Sequence, residues 1–260
     1  MTRSIRIVKI GGNVVNNPDA LASFLADFVK LPGQKILVHG GGREATRLSA
    51  ALGIETTMIN GRRVTDRETL DVVTMVYAGL VNKRIVAALQ ALGCDAIGLS
   101  GADADVIRAT RRPATPVDFG YVGDIDDEDV AESVLAMLLR NGLTPVFCAI
   151  THDRQGQLLN CNADSVAAAV ACAASRIHPA SLIYCFEKPG VLSDAEDDNS
   201  VISLITPENY ASLRESGAVS GGMIPKIDNA FSAINRGVKS VTIKSAADLL
   251  EPTAGTVIKA

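Results

Sequence analysis

The first hydrophobic run, Ile5-Arg6-Ile7-Val8-Lys9-Ile10, passes straight into Gly11-Gly12-Asn13, so the pattern predicts a strand over residues 5–10 ending in a tight turn. Asn17 can cap the next element and Pro18 suits its first turn. Leu21, Phe24, Leu25 and Phe28 then recur at helical spacing. The unit repeats: residues 36–39 form a short buried strand, Gly40-Gly41-Gly42 a turn, and residues 43–52 a helix closed by Gly53. Thr65 and Glu68 have the spacing of a capping box for a long helix reaching about residue 91, with Leu70, Val73, Tyr77, Leu80 and Val81 facing inward and Gly93 as its stop. Residues 94–100 read as a further strand. Alternation and turns over residues 106–124 suggest an antiparallel excursion. A helix over residues 130–141 ends at Gly142.

Residues 145–150 are apolar enough for a central strand, provided Pro145 lies at its start. A hairpin turn at residues 153–157 leads to an Ala-rich helix over residues 163–175. Beyond it come a strand at 181–186, an acidic loop at 194–199, a helix after Thr206-Pro207, a helix at 223–236 and a strand at 240–244. Helices alternating with buried strands predict an α/β fold, a three-layer αβα sandwich around a central, mainly parallel sheet. The expected organisation is an N-terminal lobe over residues 1–178 and a C-terminal lobe over residues 179–260, sharing one scaffold.

Composition narrows the field of functions. Of 260 residues 47% are apolar, enough for one substantial core, and 25 basic residues against 29 acidic ones give a net charge of −4. With no clustered basic run, a nucleic-acid partner is not expected. Neither a signal-peptide core nor an uninterrupted apolar run of the ~20 residues that cross a bilayer is present, so no membrane partner is expected. Cys94, Cys148, Cys161, Cys172 and Cys185 lie mainly in apolar stretches without CxxC spacing, as reduced core residues of a cytoplasmic protein would. His39, His152 and His178 lack metal-ligand spacing, so no protein-held metal is expected. Walker, GxGxxG, protein-kinase and GxSxG signatures do not occur.

Chemistry concentrates at strand ends. Glycine turns after two neighbouring strands let the backbone approach a ligand and aim free N–H groups at an anion. Lys9 immediately precedes the first turn; it could face solvent or stabilise charge on phosphoryl oxygens. Lys226, in Gly221-Gly222-Met223-Ile224-Pro225-Lys226, has a similar glycine-flanked setting. Asn160-Cys161-Asn162-Ala163-Asp164 opens a helix with three polar groups where one cap would suffice, so Asp164 could orient lysines. Arg63, between a turn and the long helix, has a fork suited to a carboxylate, although either Arg62 or Arg63 could be an ordinary surface charge.

Together, Lys9-Ile10-Gly11-Gly12, Val38-His39-Gly40-Gly41-Gly42, Asn60-Gly61-Arg62-Arg63-Val64-Thr65, Asn160-Cys161-Asn162-Ala163-Asp164 and Gly222-Met223-Ile224-Pro225-Lys226 resemble the amino-acid kinase family in order and content, and within it the N-acetylglutamate kinases. The resemblance implies transfer of a phosphoryl group from ATP, with Mg2+ carried by the nucleotide, to the side-chain carboxylate of an acylated glutamate in arginine biosynthesis. A divergent branch using N-succinylglutamate is the neighbouring reading; carbamate or aspartate kinases and a non-catalytic amino-acid-binding regulator are the more distant ones. It implies that Lys9 and Lys226 stabilise the transferring group and that Asp164 organises them. Gly11, Gly12, Gly41 and Gly42 would supply backbone contacts, Arg63 and Asn160 would hold the acceptor, and residues 1–178 would carry acceptor binding and dimerisation. Residues 179–260 would bind ATP. Where many members have Ser/Thr-Asp-Val-x-Gly, this chain has Phe186-Glu187-Lys188-Pro189-Gly190, leaving Glu187 as the acidic group toward the nucleotide. Arginine-sensitive hexameric members carry an extra amino-terminal helix, so the resemblance implies a homodimer without that feedback.

Overall fold

The computed structural model describes residues 4–59, 61–126, 128–219, 221 and 223–260. Strand β1 (Ile5–Ile10) leads through Gly11 into the short helix α1 (Gly12–Asn16) and then α2 (Pro18–Lys30). The Asn17 side chain accepts from the N–H groups of Asp19 and Ala20, and Pro18 occupies the first helical position, where its missing N–H leaves nothing unpaired. Phe24, Leu25 and Phe28 form the buried face of α2. Strand β2 (Gln34–His39), helix α3 (Gly42–Ala51) and a hairpin of β3 (Met58–Ile59) with β4 (Arg62–Arg63) follow.

The long helix consists of α4 (Arg67–Thr74), a π-helical stretch Met75–Val81, and α5 (Asn82–Ala91). Its cap is Asp66, not Thr65: the Asp66 carboxylate accepts from the Thr69 N–H at 2.8 Å. Thr65 is fully buried, and its hydroxyl donates to the Arg63 carbonyl and accepts from Asn160, so it is committed elsewhere. Leu70, Val73, Tyr77 and Val81 are buried as expected; Val72 in α4 and Val76 in the π-helical stretch are buried too. By length and composition residues 67–91 could cross a bilayer; here Leu70, Val73, Ile85 and Leu89 pack into the protein core.

Strand β5 (Ala96–Leu99) precedes the antiparallel pair β6 (Thr110–Arg111) and β7 (Gly123–Asp124), and helix α6 (Glu132–Arg140) precedes β8 (Thr144–Phe147). The strand expected over residues 145–150 divides: β8 ends at Phe147, and β9 (Ile150–His152) begins a hairpin with β10 (Leu158–Asn160). Partners change at the break, since the Cys148 N–H donates to Leu99 while the Ala149 carbonyl accepts from Cys161. Helix α7 (Ala163–Ser175) follows, then β11 (Ala180–Phe186), β12 (Leu204–Ile205), α8 (Pro207–Glu215), α9 (Met223–Asn235), β13 (Ser240–Ser245) and β14 (Thr256–Ile258).

Eight strands form one sheet in the order β12-β14-β13-β11-β1-β2-β8-β5. All neighbours are parallel except β13 and β14, which confirms a mainly parallel sheet. The sheet runs unbroken across residue 178, because β11 pairs with β1 over the full length of β1. Helix α7 is buried at every residue from Val166 to Ala174 and packs on β1 and β11; its alanines let the backbones approach closely. The five cysteines are free thiols, four of them buried.

Candidate active site

The parallel register sets Lys9 opposite Tyr184 and Val38, and Ile10 opposite Cys185 and His39. Lys9, both glycine turns and Phe186 therefore meet at the carboxyl ends of β1, β2 and β11, where open parallel sheets place their ligand crevices. Lys9 does not face solvent: it is 8% exposed, with Nζ 2.7 Å from Asp164 Oδ1. Asn162 performs the capping, accepting from the Asp164 N–H at 2.7 Å, which leaves the Asp164 carboxylate free to reach Lys9. The contact is an ion pair without hydrogen-bond alignment, so the buried Oδ1 retains unused acceptor capacity.

Lys226 enters from the first turn of α9. Its ammonium lies 4.1 Å from the centroid of the Phe186 ring and that of Lys9 lies 5.0 Å from the same centroid. Burial pulls the pKa of Lys226 below the ordinary lysine value; the Asp164 carboxylate opposes this and the Lys9 charge adds to it. Two ammonium groups thus share one carboxylate.

Two cavities flank the Gly40–Gly42 turn. The larger, about 590 Å³, is bounded by Lys9, Gly11, Gly12, Phe186, Glu187 and Lys226, with Val14, Met223 and Ile243 giving apolar wall. The smaller, about 210 Å³, is bounded by Arg62, Arg63, Tyr77, Asn160, Cys161 and Asn162. Gly40, Gly41, Gly42, Met58 and Arg63 line both, so the turn is the shared wall. Gly41 has to be glycine: a Cβ there would stand 2.7 Å from Cδ1 of the buried Tyr77 ring. Arg63 is buried and held by its neighbours, its Nη2 donating to the Gly42 carbonyl at 2.9 Å and to Thr46 Oγ1 at 2.8 Å, its Nη1 to Thr56 Oγ1 at 3.2 Å. Asn160 donates from Nδ2 to Thr65 Oγ1 at 3.0 Å. Cys161 is no nucleophile, because burial raises its thiol pKa to about 12.

The turn is also fixed from behind. Buried His39 has Nδ1 2.7 Å from the Gly40 carbonyl, and its Nε2 lies 3.0 Å from Asn82 Nδ2, which also donates to the Val146 carbonyl. Asn82 can only donate through that nitrogen, so this network requires a proton on Nδ1 and an acceptor at Nε2. Burial lowers the His39 pKa to about 4, the Gly40 bond opposing and Lys83 reinforcing the shift, so the ring is neutral near pH 7. Asn82 and Tyr77 escaped the sequence reading as site residues. Asn82 had left a signal, a polar residue on the inward face of an apolar helix.

The structure thus brings together Lys9, Asp164, Lys226, Gly11, Gly12 and Glu187 on one side, and Gly41, Gly42, Arg63 and Asn160 on the other. Lys188, on the wall of the larger cavity, pairs with Asp198 at 2.8 Å. Asn60 and Gly222, which belong to the quoted motifs, lie outside the described residues.

Residues 4–245 match the amino acid kinase family. The chain belongs to that family. Over 259 residues spanning the whole of both chains, it is 53% identical to an acetylglutamate kinase of Phocaeicola vulgatus and 50% identical to one of Bacteroides thetaiotaomicron. Among solved structures of this fold, smu.665 from Streptococcus mutans UA159 superposes with a TM-score of 0.79 at 28% identity, covering 98% of each chain. As a member of this family, the chain uses neither a Walker loop nor a protein-kinase loop at its glycine turns.

Proposed function

We propose that this protein transfers the γ-phosphoryl group of ATP to the side-chain carboxylate of N-acetyl-L-glutamate, giving N-acetylglutamyl 5-phosphate and ADP, in arginine biosynthesis. The observation that carries the reading is the pair of cavities sharing the Gly40–Gly42 turn, one holding Lys9 and Lys226, the other Arg63 and Asn160. The full-length likeness to acetylglutamate kinases supports the acceptor.

The residues present suit a triphosphate. Two lysines and two glycine turns face a cavity of about 590 Å³, a size typical of small-molecule sites. When bound, magnesium brought by the nucleotide would neutralise phosphate charge. A glutamate side chain, with an ordinary pKa of about 4.3, is already ionised near neutral pH, so no general base is required. The difficulty is bringing one anion to another. A carboxylate oxygen forms the new P–O bond while the bond to the β-phosphate oxygen breaks, its electron pair leaving with ADP. Lys9 and Lys226 offset charge on the phosphoryl oxygens, and Asp164 keeps Lys9 in place. The N–H groups of Gly12, Gly41 and Gly42 supply further donors, while the Gly11 N–H is committed to the Cys185 carbonyl at 3.0 Å and Gly11 contributes by its lack of a side chain. Arg63 and Asn160 in this reading orient the acceptor, and Glu187, which lines the larger cavity, is the acidic group toward the nucleotide. In this reading residues 1–178 carry the acceptor site and dimerisation, residues 179–260 bind the nucleotide, and the protein works as a cytoplasmic homodimer.

A coupled ADP-release assay comparing N-acetylglutamate, N-succinylglutamate, glutamate, aspartate and carbamate tests the acceptor, with hydroxylamine trapping to report the acyl phosphate. N-acetylglutamate should be turned over best and yield a hydroxamate. Preference for an unacylated acceptor, or ligand binding without ADP release, would overturn the assignment.

A further inference from the structure

Two ammonium groups share the Asp164 carboxylate, yet only Lys9 is in ion-pair contact with it. Among the described residues Lys226 makes no ion pair, and the contact recorded for its ammonium is the Phe186 ring at 4.1 Å. Phe186 ends β11, and side-chain alternation puts it on the same side as Tyr184, whose ring stacks on it at 6.1 Å between centroids with an 18° interplanar angle. The Tyr184 hydroxyl donates to the Asp164 carbonyl at 3.2 Å, which ties the stacked rings to the start of α7. The ring is therefore held by the same elements that hold Asp164. The other charged groups around Lys226 are Lys9 on β1 and, along the cavity wall, Arg43, Arg63, Glu187 and Lys188.

We propose that Phe186 is a positioning residue that offers its π-face to the Lys226 ammonium, keeping it charged and directed into the larger cavity before a phosphate arrives. This deepens the kinase reading and rests on it for its catalytic consequence, though not for the contact itself. An aromatic face attracts a cation through its quadrupole, most strongly where water is scarce, whereas an aliphatic side chain of similar bulk gives no such attraction. Lys226 needs the help because it is half-buried beside another positive group. On phosphate binding the ammonium exchanges the ring for anionic oxygens a short distance away, with little of its side chain left to order.

The experiment measures the intrinsic reactivity of individual lysines by trace acetylation with acetic anhydride across pH, followed by peptide mass spectrometry, using exposed Lys30 as internal standard. This readout does not depend on turnover. In Phe186→Leu, loss of the π-face should make Lys226 neutral at lower pH and raise its labelling near pH 8 about five- to tenfold relative to the parent, an expectation scaled to a partly desolvated cation–π contact. Phe186→Tyr keeps the face and should label like the parent. In ADP-release kinetics Phe186→Leu should lose about five- to tenfold in kcat while the KM for the acylglutamate stays within about twofold, and Phe186→Tyr should recover most of kcat. Unchanged or reduced Lys226 labelling in Phe186→Leu, or equal defects in both variants, would overturn the proposal. Increased labelling in Phe186→Leu alone, from a protein that releases no ADP with any acceptor, would sustain the contact and remove the kinase reading instead.

Discussion

Replacing Asp164 by Asn keeps the shape of the side chain at the start of α7 while deleting, among the described residues, the only carboxylate in ion-pair contact with Lys9. The pair is 2.7 Å apart with side chains 10% and 24% exposed. It therefore falls between exposed pairs, worth roughly 0.2–1 kcal/mol, and buried ones, whose breakage costs about 3–5 kcal/mol. We expect a loss of about 2 kcal/mol in folding stability, read as a lower midpoint in urea. Turnover should suffer more, because two ammonium groups left facing each other no longer hold their places for the phosphoryl group. A fall in kcat of about 100- to 1,000-fold is expected, comparable to removing a preorganised electrostatic contact. The pH profile carries the more specific signature. The Asp164 carboxylate raises the pKa of Lys226 against the opposing effects of burial and Lys9. Without that carboxylate the lysine loses its proton at lower pH, so the basic limb of kcat should move down. An Asp164→Asn enzyme with kcat within about threefold of the parent and an unmoved basic limb would refute this account.

Gly41→Ala would place a methyl 2.7 Å from Tyr77 Cδ1. Activity should fall by at least about tenfold, and the double variant with Tyr77→Leu should recover part of it if that clash is the cause. His39 has a folded pKa of about 4 against an ordinary 6.5, so the unfolded chain binds the proton first. Its stability cost is absent above pH 6.5 and grows as pH falls to about 4, reaching about 3 kcal/mol. His39→Gln should flatten that part of the stability profile in urea titrations, and an unaltered slope would count against a buried neutral ring. Arg63→Ala should raise the acceptor KM and also lower kcat, since it frees the Gly42 carbonyl and Thr46; a change in KM alone would show that the guanidinium does not brace the turn. Ala171→Leu, at a fully buried position of α7, should cost about 1–3 kcal/mol by overpacking, measured by thermal or urea unfolding.

Where periodicity and turn chemistry agreed, the sequence was easy to read. Residues 5–10 and 163–175 appear with the expected limits, and Asn17 and Pro18 start α2 as their chemistry requires. What escaped were features decided by distant partners. Thr65 has the composition of a cap, but Asn160, 95 positions away in sequence, engages its hydroxyl and Asp66 takes the role. Strands β12 and β14, two and three residues long, carry too little pattern to be distinguished from loop. Lys9 and Lys226 were recognisable from their glycine neighbours. The meaning of Phe186 was not, because a cation–π contact depends on where two other chain segments bring their ammonium groups.

The π-helical stretch Met75–Val81 separates two registers on one rod. Upstream, Leu70 and Val73 face the interior; downstream, Asn82 meets His39 and braces the first glycine of the turn. A π-bulge amounts to one additional residue accommodated without breaking the rod. Were the same residues from Met75 to Val81 wound as regular α-helix, Asn82 would be rotated away from the imidazole by roughly the angle between successive helical side chains. The winding of this segment is thus a timing gear for the loop, and a chain of the same length that wound it regularly would need to find another way to aim its amides.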